Sequence, residues 1–281
     1  MSEPVFFSGD EDAEMTQASA AAQNSFKFFW RELSWERRRI IPALDMAMIK
    51  LPFTEGTRSD GNPELEYMWA DQIAFDGITL SGSLLNEPNF LASVKKGDAV
   101  SMPFSQLTDW MMTSDGKAYG AHTVNLMRSR MSARERKDHD EAWGLDFGQP
   151  NEIRTELTSR QAGKGGVLSR LFGGKATSGP ATDGPGTFAD HPMCINILPR
   201  YEAQLKEDPD IATQIDERGW TLLHSDALAG NLGIVKLVVR HGADIEARTP
   251  DGRDAVALAQ NIGWDEVATY LSNDAKADQK R

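Results

Sequence analysis

The chain has 281 residues, too long for one typical core and about right for two, and its apolar content of 40% is enough to fill them. Its 42 acidic and 30 basic residues leave a formal charge of −12, a field that repels nucleic acid and anionic membrane, and that either favours a basic partner or serves solubility alone. The single cysteine, Cys194, excludes an intramolecular disulfide and a multi-cysteine zinc site, and no apolar run approaches the ~20 residues of a membrane span. With no signal-like N-terminus, these features predict a soluble cytoplasmic protein with no cofactor.

Residues 1–16 read as a flexible acidic N-terminus. From about Thr16 to Arg39 there is no Gly or Pro, and Ala22, Phe26, Phe29, Trp30 and Leu33 recur at helical spacing. That is one apolar helix face, expected to lie on a sheet while Lys27, Arg31, Arg38 and Arg39 stay in water, with Pro42 ending the helix.

Between Leu44 and Met127 the chain falls into short segments of apolar, aromatic and β-branched residues, each closed by Gly, Asn, Asp or Pro. This predicts strands joined by tight turns: 44–53, 66–75, 78–86 and 100–107, then 118–127 as the last strand. The 107–111 piece fits either a strand end or a short helical turn. Ser132 and Glu135 form a capping-box pattern opening a charged helix to about Trp143.

Four ordered motifs stand within this region: Glu66-Tyr67-Met68-Trp69, Gly82 to Pro88 (GSLLNEP), Lys96-Gly97-Asp98-Ala99-Val100 and Asp109-Trp110-Met111. Together they resemble the YegJ-like family of bacterial domains of unknown function over about residues 26–147. The resemblance implies an α+β domain over residues 17–157, a small antiparallel sheet with flanking helices. It brings no activity with it.

Residues 158–192 are rich in Gly, Ser, Thr, Ala and Pro and read as a flexible linker. At its centre is a largely apolar hexad, Val167 to Phe172, either a docking motif or a linker with a sticky middle. Residues 193–275 then show an internal repeat, followed by a tail at 276–281. At a spacing of 33 residues Gly219 meets Gly252, Leu223 meets Val256, Gly230 meets Gly263, Ile234 meets Val267 and Val238 meets Leu271. Asp216 to His224 (DERGWTLLH) resembles the turn and helix start of ankyrin repeats, which implies an all-α C-terminal domain. Leu222 stands where that family has proline, and the helix around Pro199 to Ile215 reads as a degenerate first repeat. His224 is read as structural, tied to Thr221.

No phosphate-binding loop, nucleophile elbow, metal-binding His-Glu-x-x-His or dinucleotide fingerprint is present. A non-enzymatic module that binds another protein is therefore expected, an adaptor or an inhibitor or immunity protein that sequesters a partner such as a toxin, with no nucleic-acid or membrane partner. Its contacts are expected at the turn tips and first-helix face of the repeats, at Arg218, Trp220, Asp226, Arg248 and Arg253. The alternative is an enzyme or small-ligand binder with a pocket in the β-rich domain around Glu66, Trp69, Asn86, Asp109 and Trp110.

Overall fold

The computed structural model describes residues 13–57, 64–157 and 189–279; the acidic stretch up to residue 12 and the Val167–Phe172 hexad lie outside the described residues. The Gly- and Pro-free stretch forms α1 (Ala13–Glu36). It lies across a six-stranded antiparallel sheet made of β1 (Met46–Glu55), β2 (Glu64–Phe75), β3 (Thr79–Leu84), β4 (Ala99–Pro103), β5 (Asp109–Ser114) and β6 (Lys117–Gly120). The strand order is β4-β3-β2-β1-β5-β6.

Side-chain alternation sorts the two faces. Ile49 of β1 pairs with Ala70 and Trp110, and this row packs beneath α1, where Phe26 meets Phe75 edge-on at 5.3 Å and Phe29 meets Trp110 at 5.3 Å. One residue on, Lys50, Trp69 and Asp109 form the next row, on the opposite face. That face buries Met48, Trp69, Met111 and Ala118 with Val124 and Phe147, from α2 (His122–Ser129) and the segment after α3 (Ala133–Trp143). Ser132 caps α3 through the box its spacing predicts.

The expectation of a strand over 118–127 is corrected, because β6 stops at Gly120 and α2 follows. Gly120 sits at φ +72°, with the Trp110 ring 2.4 Å from where a Cβ would be, so the turn requires glycine. Ala121 continues the left-handed turn at φ +56°. The Asp109 carboxylate then accepts the amides of His122 and Thr123 at 2.9 and 2.8 Å, and helix begins. The ambiguous 107–111 piece enters β5 at Asp109.

The C-terminal half is helical: α4 (Pro192–Glu207), a 3₁₀ turn at Pro209–Ala212, α5 (Leu222–Ala229), α6 (Leu232–Arg240), α7 (Ala255–Ile262), α8 (Asp265–Asn273) and α9 (Ala275–Asp278). Helix α4 begins at Pro192, earlier than the sequence suggests, because the His191 ring accepts the Met193 amide and proline suits a first helical position. Thr221 and His224 reciprocally cap α5, and His224 Nε2 reaches the Ala247 carbonyl at 2.9 Å, which makes that histidine a structural brace. Gly230 ends α5 at φ +71°, and a Cβ there would lie 2.2 Å from Trp264. Close packing of the two repeat pairs therefore depends on that glycine.

The two halves share one continuous apolar core, because α1 is buried on a second side. The expectation that its basic residues stay in water is corrected: Arg31 is buried. Its guanidinium lies 4.8 Å over Trp264, Phe28 meets the same indole at 5.8 Å, and Lys27 donates to the Gly263 carbonyl at 2.8 Å. Trp35, fully buried, donates its Nε1–H to Asn231 Oδ1 at 2.9 Å. Asn231 Nδ2 donates to Asp226 Oδ1 at 2.7 Å, and Arg38 pairs with that same oxygen at 2.8 Å. Arg39 bonds Glu32 and Glu36, and Glu32 in turn meets His191 Nε2 at 2.9 Å. The β2–β3 turn completes the contact, with Gly77 set against Leu228, Leu258 and Arg253 and its carbonyl bonded by Asn261.

Asp226→Ala strands Arg38 and Asn231 at a mostly buried site, so it should destabilise the chain by about 3 kcal/mol, discounted for the partial exposure of Arg38. Calorimetry should record one cooperative transition, lowered as a whole by the substitution. Two separated transitions would contradict a shared core.

Candidate functional site

The five residues of the expected β-domain pocket do not converge. Trp110 lies under α1 and gives its Nε1–H to the Ala22 carbonyl at 3.0 Å, whereas Trp69 belongs to the opposite face. Glu66 and Asp109 sit on strands separated by β1, Glu66 opposite Phe53 and Asp109 opposite Lys50, so they are not a carboxylate pair. Each is engaged locally. Glu66 accepts the Asn89 amide and side chain and the Phe90 amide, which ties down the loop holding Asn86. Asp109, fully buried, takes the His122 and Thr123 amides and the Thr123 hydroxyl at 2.6 Å. Both carboxylates thereby hold local backbone in place.

Lys50, which sequence reading passed over, is half-buried on that second face, 5.8 Å from the Tyr67 ring and 5.7 Å from the Trp69 ring. Loss of water pushes its ammonium below the ordinary lysine range, and the nearby Asp109 charge opposes this. Strand register alone would have found it, because it shares a row with Trp69 and Asp109. Elsewhere, an open groove of about 700 Å³ runs between α3 and the 144–149 turn. Its buried cation, Arg128, is held bidentately by Asp140 at 2.8 and 2.6 Å, and Arg136 and Lys137 line it together with Glu141 and Asp146, so the lining is balanced in charge.

Among the expected partner contacts the repeats divide into two sets. Trp220 is 5% exposed and Asp226 is fully buried on Arg38, so both are turned into the chain itself. Arg253 lies in the seam beside Gly77, its side chain 15% exposed and paired with Asp251. Arg218 and Arg248 are more than half exposed at the turn tips, ion-paired with Asp216 and Asp254.

Titration follows from these contacts. Burial lowers His122, against the opposing pull of Asp109, and burial also lowers His224 despite its bond to the Ala247 carbonyl. Burial alone would raise Glu32, but the His191 bond and Arg39 hold it below the usual carboxylate range. All three bind protons more weakly folded than unfolded, so their stabilisation is present above the unfolded values and is lost as pH falls through the folded ones. The histidines act first, below their ordinary value of about 6.5, and Glu32 follows below about 4.3. The melting temperature should fall from pH 7 to pH 5, and His122→Gln, whose amide can still meet Ser25, should flatten that slope. A slope identical to the parent's would show that His122 carries none of it.

Residues 12–147 match the family of uncharacterized proteins conserved in bacteria, DUF2314. The whole chain resembles an ankyrin repeat protein of Neisseria meningitidis serogroup B, 36% identical over 267 residues, which covers 95% of this chain and 96% of the relative. The repeats alone resemble the human Notch-regulated ankyrin repeat-containing protein, 41% identical over 58 residues, 21% of this chain and 51% of that one. They also resemble human protein phosphatase 1 regulatory subunit 27, 40% identical over 57 residues, 20% of this chain and 37% of that one. No helix among the described residues is long and apolar enough to cross a membrane. With an N-terminal DUF2314 region joined to ankyrin repeats and near end-to-end similarity to the meningococcal protein, the chain belongs to that protein's family of bacterial ankyrin repeat proteins.

Proposed function

We propose that the protein is a non-enzymatic module of the bacterial cytoplasm that binds another protein, acting as an adaptor or as an inhibitor that sequesters its partner. The observation that carries this reading is the engagement of Glu66 and Asp109 by backbone amides, which leaves the β-rich domain a scaffold where a carboxylate pair would have offered chemistry. The ankyrin relatives point the same way, towards protein interaction. A formal charge of −12 favours a basic partner, such as a toxin that acts on nucleic acid, and disfavours nucleic acid itself. Arg218 and Arg248 at the exposed turn tips are the partner contacts in this reading.

Because the halves share a core, the whole chain is the proper bait. Immobilised full-length protein, exposed to native cytosol and read by mass spectrometry, should retain one basic protein stoichiometrically. With that protein purified, the association rate should fall at least tenfold from ~10 mM to ~150 mM salt, and Arg218→Ala with Arg248→Ala should weaken the complex. No retained protein, or an association indifferent to salt, would count against the proposal.

A further inference from the structure

The seam between the sheet and the repeats gathers cationic and hydrogen-donating groups in an otherwise acidic protein. Arg218 and Arg253 both lie over the indole of Trp220, at 4.9 and 6.0 Å. Arg37, at the end of α1, is near enough to Arg218 for the two charges to oppose each other, and it lies 5.1 Å over Trp30. Arg37 also donates to the Ile73 carbonyl of β2, which leads through Phe75, edge-on to Trp30 at 5.4 Å, to Gly77 against Arg253. These contacts close a ring around one spot of the seam.

The polar atoms of its ring residues that lack a partner are all donors. Nε and Nη1 of Arg253 and Nε1 of Trp30 are buried N–H donors with no acceptor among the described residues, and Trp30 is 5% exposed. Asp216 and Asp251 hold one side of Arg218 and of Arg253, at 2.7 and 2.5 Å, and both acids lie on turns at the rim. Buried donors without acceptors are costly, and two opposed guanidinium groups add repulsion. An oxyanion placed among them would relieve both, bound in the forked manner that guanidinium groups favour.

We infer that the seam ringed by Trp30, Arg37, Gly77, Arg218, Trp220 and Arg253 is a binding site for a small-molecule oxyanion, a phosphate or a carboxylate. The inference goes beyond the protein-binding reading and shares Arg218 with it; Arg37, which that reading does not use, tells the two apart. The bound group would bridge α1 to the first repeat turn.

Isothermal titration of the full chain tests it, with inorganic phosphate in one arm and acetate in the other, at ionic strength held constant with chloride. One saturable site is expected for at least one anion, and the tighter arm names the group recognised. Affinity should drop at least tenfold in Arg218→Gln and in Arg37→Gln, both at exposed positions where folding is retained, and stay unchanged in Arg134→Gln, remote on α3. Absence of saturable heat with both anions, or equal affinity in the parent and in Arg218→Gln and Arg37→Gln, would overturn the inference.

Discussion

The relation between the two halves rests on the end of α1, where Trp35, Asn231, Asp226 and Arg38 form one hydrogen-bonded relay across the junction. Each member is costly to bury alone. The indole N–H and the amide need partners, and the Asp226 carboxylate, without solvent, needs a cation. The relay satisfies these demands only when α1, α5 and the start of α6 are in register. Packing alone would let the repeats slide on the helix; the relay selects one position.

That constraint changes what an ankyrin stack means in this chain. The inner side of the repeats is covered by α1 and the β2–β3 turn, where Gly77 fits because it lacks a side chain and adopts φ +96°. The repeats act first as half of a fold, and their turn tips at Arg218 and Arg248 stay exposed. Phe28, Arg31 and Lys27, all gathered on Trp264, show how a helix with one obvious apolar stripe is buried on two sides, the second through cation–π contacts and alkyl stems.

Much of the fold was legible in the residues. Helical spacing from Ala22 to Leu33, the turn punctuation of the sheet, the Ser132–Glu135 box and the 33-residue period each encode a local preference that tertiary contacts then reinforced. What the residues hid was non-local. Nothing near 118–127 marks the helix there, because its start is set by Asp109, more than ten positions earlier. The charged side of α1 looked solvated because its partners, Asp226, Glu156 and Trp264, are remote in sequence. The candidate pocket was misjudged for the same reason: motifs adjacent in order fell on opposite faces, while Lys50, in no motif, came to share a row with two of its residues.

The central claim is that the sheet and the repeats are one cooperative body held through α1. Native-state hydrogen exchange tests it directly, by comparing the slowest amides of β1, such as Ile49 and Leu51, with those of α6, such as Val235 and Val238, all fully buried. The account predicts that both sets open with the same free energy, that of global unfolding, and that the two fall together when Trp35 is replaced by Phe. Repeat amides that exchange at a distinctly lower free energy, unaffected by that substitution, would contradict it.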